Sequence, residues 1–265
     1  MKQLLRDMAP PFIRRWWRRS FGWRWFAGDY ASWAQARAAS RGYDSPAIFE
    51  KTLSAARAVR DGRAAWERDS VTFAEPEVHW PLLASLLRAA AVERGRLEVL
   101  DFGGAFGSAW WQHRAWFDGI VGRWAVVEQA HMVEAGRREF AVAPLQFFPS
   151  MDAASAGGQP AVILLSSVLS YLESPHALLA DVVDRGFRHV VIDRTLFASG
   201  DRDRLAVQRV PPAIYEASYP CWLFSRQGVL RHFAEDYRLV TEWTLPNDFN
   251  ASAKFIGLLW QRKSS

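Results

Sequence analysis

A doubly wound α/β domain built on a mostly parallel sheet is the fold that this sequence predicts, and three observations carry the expectation. From Leu97 onward, short apolar runs alternate with amphipathic helical stretches, the pattern of strand–helix–strand crossovers. The run AVILLSSVL at 161–169 opens without polar alternation, as a strand covered on both faces would. At the C-terminal end, the runs 237–245 and 254–262 are joined by a polar loop too short for a crossover helix, so they should be antiparallel neighbours.

Taken in order, residues 1–75 read as a basic, aromatic arm and a helical extension, and residues 76–265 as the α/β domain. Within 28–75 the pattern is helical with breaks: 32–40, a turn at 42–46, then a helix from Ala47 to about Val59, with Ser45 as cap and Pro46 at the first position. Helix 80–95 sets Leu82, Leu83, Leu86, Leu87 and Ala90 on one face and ends at Gly95. LEVLDF at 97–102 is the first of seven strands, with helix 108–117 behind it. Strand 123–129, helix 131–140, strand 145–148 and strand 161–169 follow. Helix 175–185 has Ser174 as cap, Pro175 at its start, Gly186 past its end, and Leu178, Leu179, Val182 and Val183 as its buried face. Strand 189–193 comes next, then an irregular stretch to Phe224, helix 226–235 and the antiparallel pair.

Composition narrows the class. Half of the 265 residues are hydrophobic and 23% are charged, which is globular. A lone cysteine, Cys221, excludes an internal disulfide framework and fits a reducing compartment. No apolar run approaches a membrane span, and residues 1–30 hold no continuous apolar stretch, so a cytoplasmic protein without a secretory signal is expected. The net charge of +5 is unevenly placed: up to Trp25 there are seven basic residues and one acid, Asp7, which leaves the remainder close to neutral. That disfavours nucleic acid as a partner of the core. The arm FIRRWWRRSFGWRWF at 12–26 reads first as a packing helix with snorkelling arginines. Peripheral contact with an anionic inner-membrane face is the next reading, and stacking on single-stranded nucleic acid ranks well below it.

VLDFGGAFGS at 99–108 is the sharpest feature: an apolar strand ends in an acid and opens into glycines ahead of a helix N-terminus. A nicotinamide fingerprint placed on Gly104 and Gly107 would need glycine where Phe102 stands, and it gives no reason for Asp101. An acid followed by Gly103, Gly104 and Gly107 suits a cofactor that carries cations and no pyrophosphate. Glu128, followed by Gln129, closes the second strand 27 residues after Asp101, where a carboxylate can accept both ribose hydroxyls of a nucleoside. Ser166 and Ser167 end the fourth strand and are candidates for holding the cofactor's amino-acid end. Met151 and Asp152 follow the third strand, where Asp152 could accept from an adenine amine. Tyr171, Asp193 and Arg194 fall at the carboxyl edge of the sheet, with Asp193 a candidate general base; a purely structural turn at 193–194 is the alternative. His79, His131 and His176 are candidate bases by type only. No His/Cys/Asp cluster has metal-ligand spacing.

Residues 97–262 resemble a class I S-adenosylmethionine-dependent methyltransferase, with an antiparallel last strand in a Rossmann-like sheet. The whole chain is similar to a methyltransferase family of bacterial surface-polysaccharide gene clusters, through GDY-x-x-W at 28–33, S-x-GYDS at 40–45, ERDS at 67–70, VLDFGGAFGS, W-x-VVEQ at 124–129, SSVLSYLESP at 166–175, IDRT at 192–195 and YPCW at 219–222. Ala105 departs from it, since the usual loop has glycine there. The resemblance implies S-adenosylmethionine as cofactor and O-methylation of a sugar in a polysaccharide or its precursor. The alternatives are a nicotinamide-dependent reductase and an inactive, membrane-associated protein of the same fold.

Overall fold

The computed structural model describes residues 25–40, 46–210, 217–246 and 253–264. Most of the arm, the turn around Gly42 and the loop between the last two strands therefore lie outside the described residues.

The described chain opens with a two-residue strand, β1 (Phe26–Ala27), and helix α1 (Trp33–Ala38), where the Ser32 hydroxyl caps by accepting from the Gln35 N–H. Helix α2 (Pro46–Arg60) has proline at its first position. The helical character expected to Phe73 and beyond is not there. Instead β2 (Trp66–Arg68) and β3 (Val71–Phe73) form an antiparallel hairpin. Its two turn residues, Asp69 and Ser70, have φ of 52° and 66°, as a two-residue hairpin turn requires. The directly opposed Trp66 and Phe73 stack with ring centres 4.1 Å apart, and that cross-strand pair holds so short a hairpin together.

Helix α3 (Trp80–Val92) leads through Gly95 into β4 (Leu97–Phe102). Helix α4 (Ser108–His113) is shorter than expected, because its last turn tightens into a 3-10 turn over Arg114–Trp116. Then come β5 (Val121–Val127), α5 (Ala130–Glu139), β6 (Leu145–Phe148), α6 (Met151–Ser155) and β7 (Val162–Ser166). Helix α7 (Pro175–Arg185) closes on Gly186 in the left-handed conformation. Ser174 occupies its N-cap position without making a side-chain capping bond. β8 (His189–Ala198) is longer than the five residues expected, and the supposedly irregular stretch holds β9 (Arg204–Arg209) and β10 (Ser218–Leu223). Helix α8 (Arg226–Phe233), β11 (Tyr237–Leu245) and β12 (Ala253–Arg262) complete the chain.

Seven strands form one sheet in the order β11-β12-β8-β7-β4-β5-β6. β4 to β8 run parallel, and β12 alone is reversed, inserted between β8 and β11. This is the Rossmann-like methyltransferase fold. Side-chain alternation sorts the core: Val99, Trp124, Val126, Val162 and Leu164 pack on one face, while Leu100, Ala125, Val127, Ile163 and Leu165 pack on the other. A second sheet, β1-β9-β10, packs Phe26, Ala206, Cys221 and Leu223 against Leu196 of β8. Cys221 is fully buried, and burial pushes its thiol far above the usual range, so it serves as a small packing residue. The strand order reverses direction between β4 and β7, and in open α/β sheets ligands bind outside the carboxyl ends at that point.

Candidate active site

A cleft of about 1140 Å³ opens at that position. Asp101, Gly103, Gly104, Glu128, Gln129, Ser166, Ser167, Tyr171, Asp193 and Arg194 all line it, so ten of the thirteen candidates come together. Gly107, Met151 and Asp152 do not line it. Gly107 acts through its backbone: at φ 84° it starts α4, and a Cβ there would lie 2.9 Å from Leu145. The Met151 side chain is buried in the core on the sheet face that carries Leu100, Ala125 and Val127. Asp152 points into solvent and pairs with Arg185 at 2.8 Å, which corrects the expectation that it meets an adenine.

The glycine loop is shaped around two carboxylates. A Cβ on Gly104 would lie 2.4 Å from Cγ of Asp101, and one on Gly103, at φ 72°, would lie 2.5 Å from Val168, so both must be glycine. Ala105 keeps the left-handed backbone expected of the glycine it replaces, with φ 50°. Its N–H donates to Oε1 of Glu128 at 3.1 Å, and the Gln129 N–H donates to Oε2 at 3.0 Å. Glu128 stands one residue beyond β5 and ties the loop to the next strand, while each oxygen keeps a further lone pair for a ligand. Burial raises its pKa. Asp101 is 1% exposed; its carboxyl accepts from Nε1–H of Trp124 at 3.0 Å, and burial pushes its pKa up to about 7.

The far wall is built on a β-bulge. Ile192 pairs with Leu258 and Thr195 with Ile256, so Asp193 and Arg194 together oppose Gly257. In a regular strand these neighbours would point to opposite faces. The bulge, with Arg194 at φ 50°, turns both toward the cleft. Buried Asp193 receives three donors: His79 Nε2 at 2.9 Å and Trp243 Nε1 at 3.2 Å on Oδ1, and the Ser166 hydroxyl at 3.0 Å on Oδ2. Gly257 makes room for the Trp243 indole, which a Cβ would approach to 2.1 Å. His79 sits at the N-cap position of α3 without capping it. Its backbone N–H donates to Nε2 of His113, whose Nδ1–H donates to the Ala109 carbonyl, so His113 is neutral and fixes the start of α3. Burial lowers the pKa of His113 in keeping with that tautomer.

Of the three histidines singled out by type, His79 and His131 line the cleft and His176 does not, and geometry promotes His79. With Nε2 on Asp193, its Nδ1 has no protein partner among the described residues, and the side chain lines the cleft. Tyr171 is placed differently from a proton-transfer group: its hydroxyl donates to Oε1 of Gln208 on β9 at 3.0 Å, and its ring packs edge-on to Tyr219. The hairpin β2–β3 supplies another wall, and the ERDS segment is its turn. There Glu67, accepting from the Ser108 hydroxyl, is raised by burial to about 6. Among the described residues no group of three or more His, Cys, Asp or Glu is placed to hold a metal ion, and no helix is long and apolar enough to cross a membrane.

No family model and no curated protein matches the chain. Solved structures similar to it include the N-terminal domain of EvdMO1, determined with SAH and D-fucose (14% identity, TM-score 0.48, covering 83% of this chain and 100% of that one). The N-methyltransferase NodS from Bradyrhizobium japonicum, in complex with SAH, is another (13%, 0.44, 70% and 87%). A third is CalS10, an amino pentose methyltransferase from Micromonospora echinaspora with SAM bound (14%, 0.41, 68% and 90%). All three TM-scores are below 0.5, so the fold rests on the strand order and the site on its own geometry.

Proposed function

We propose that the chain is an S-adenosylmethionine-dependent methyltransferase that methylates a sugar hydroxyl of a surface polysaccharide or its precursor, on the cytoplasmic side. The observation that carries the cofactor is Asp101: a buried carboxyl at the switch point, facing the cleft, with no cationic protein partner among the described residues. Such a group welcomes an ammonium or sulfonium and repels a pyrophosphate. Gly103 and Gly104 let the amino-acid end come close, and Glu128 is available to ribose hydroxyls. When bound, S-adenosylmethionine supplies an electrophilic methyl group on sulfur.

The rest is done by side chains of the chain itself. Asp193 has both oxygens engaged by donors, so its role is to orient His79 and to stabilise its charged form, and the base is Nδ1 of His79. A hydroxyl acceptor must shed a proton as its oxygen attacks, and an imidazole nitrogen facing the cleft is the residue type suited to that task near pH 7. Alignment of acceptor and methyl donor within the cleft supplies the larger part of the acceleration. The glycan acceptor rests on the motif resemblance.

Two measurements test the reading. Calorimetric titration with SAH and with NADH should show binding of the first only; the reverse result would sink the cofactor assignment. The purified protein should transfer labelled methyl from S-adenosylmethionine onto oxygen in a glycan fraction prepared from cells that lack the gene. Transfer onto nitrogen, or onto protein or lipid without sugar, would overturn the acceptor half.

A further inference from the structure

We infer that the acceptor carries an acidic group, a phosphate or a carboxylate, which docks between Arg68 and Arg194 in the cleft; the inference rests on the methyltransferase reading of that cleft. Arg68 reaches it from the hairpin and Arg194 from the bulge of β8. Both are only partly exposed. Neither forms an ion pair with a carboxylate among the described residues, although Glu67, Asp69 and Glu77 are near enough to act on Arg68 through space.

Each guanidinium is held rather than trailing in solvent. Arg68 lies over the Trp66 ring at 5.1 Å and the Phe73 ring at 5.6 Å. Arg194 lies over Phe255 at 5.5 Å, and its Nε donates to the Ser167 hydroxyl at 3.2 Å, which leaves the terminal nitrogens to turn toward a ligand. A guanidinium held over an aromatic face in this way has its donor fork confined, ready for a carboxylate or phosphate. The two cations also act on one another: burial and then the positive charge of Arg194 lower the pKa of Arg68. Two like charges brought together in a half-buried wall, one of them on a left-handed non-glycine residue, are an unfavourable arrangement that an anion between them would reverse. A neutral sugar offers nothing to offset that repulsion.

The test uses the full chain saturated with SAH. Sodium pyrophosphate, inorganic phosphate, glucuronate and glucose are titrated calorimetrically at constant ionic strength. Binding of at least one anion, at least about tenfold tighter than glucose, is expected, since a bidentate charged contact contributes more than a neutral one. A phosphate preference names a phosphate-bearing acceptor, and a glucuronate preference names a uronic acid. Arg68→Gln and Arg194→Gln should each weaken the preferred anion about tenfold while SAH affinity stays within about twofold, which also shows that the variants fold. Arg→Lys at either position should fall between, because the charge remains and the fork is lost. Anions that bind no better than glucose, or a double Gln variant that binds them undiminished, would overturn the inference. Failure of SAH to bind the wild-type chain would instead count against the cofactor assignment, and the anion series is then read on the protein alone.

Discussion

With Asp101 beside the cofactor's ammonium, as proposed, cofactor affinity becomes a pH-dependent quantity with a definite sign. In the free protein burial holds its carboxyl at about 7. About a tenth of the molecules therefore carry the carboxylate at pH 6 and about nine-tenths at pH 8. An ammonium beside the group favours the ionised form, so binding expels a proton and affinity must rise with pH, levelling off above about 7. Between pH 6 and 8 the expected gain in SAH affinity is about tenfold, or about 1.4 kcal/mol. Glu128, also raised by burial, steepens the slope at the acid end. Calorimetry in two buffers of different ionisation enthalpy would count the released proton directly. Asp101→Asn keeps an acceptor for the Trp124 N–H and removes the charge, so the variant should match the wild type near pH 5.5 and fall about tenfold behind it at pH 8. Affinity that is flat from pH 5.5 to 8.5, or a variant equally weakened at every pH, would refute the placement of a cation beside this carboxyl.

Three further outcomes follow from the same geometry. Glu128→Ala removes the acceptor for two backbone N–H groups and for the ribose, and should weaken SAH at least about tenfold in the same titration. Gly104→Ala puts a methyl into the Asp101 carboxylate, so SAH binding should be lost and thermal stability reduced by about 1–3 kcal/mol; unchanged melting and binding would show the loop to be laxer than described. Deleting residues 1–24 spares Trp25 and Phe26, the latter paired in β1. If the arm meets a membrane surface, the deletion should abolish salt-sensitive co-sedimentation with anionic liposomes and leave SAH affinity unchanged, whereas unfolding would identify the arm as packing.

The centre of the parallel sheet was legible because β4 and β7 are buried on both faces and therefore read as near-continuous apolar runs, and β4 begins and ends where its run does. What escaped notice lies where that signal fails. β10 carries Pro220, which argues against a strand, and it is tolerated because β10 is the edge of its small sheet. The β2–β3 hairpin has strands of three residues and an Asp-Ser turn in place of a glycine-bearing one. The acid-and-glycine loop at 101–107 could be seen because its residues are contiguous. His79 could not be assigned because its partner Asp193 is 114 residues away, and only the crossing of α3 over β8 brings them together.

Backbone strain bears on whether the cleft is a working site or a relic of one. Six non-glycine residues among those described have positive φ: Asp69, Ser70, Arg94, Ala105, Ser167 and Arg194. Five of them line the cleft, with Arg94 the exception. Each left-handed non-glycine costs about 1 kcal/mol or more, so the five together amount to a substantial part of the total stability usual for a domain. They come from three separate places: the hairpin turn, the glycine loop after β4, and the end of β7 beside the bulge of β8. No single local accident explains that convergence. Strain of this kind persists where the surrounding structure over-determines it, and here it aims the hairpin, the Glu128-bound loop and the Asp193–Arg194 bulge into one space. Asp69 and Ser70 follow from their hairpin turn, but an inert domain of the same fold would gain stability by relaxing Ala105, Ser167 or Arg194, which is the physical argument for reading the cleft as a site of chemistry rather than a scaffold.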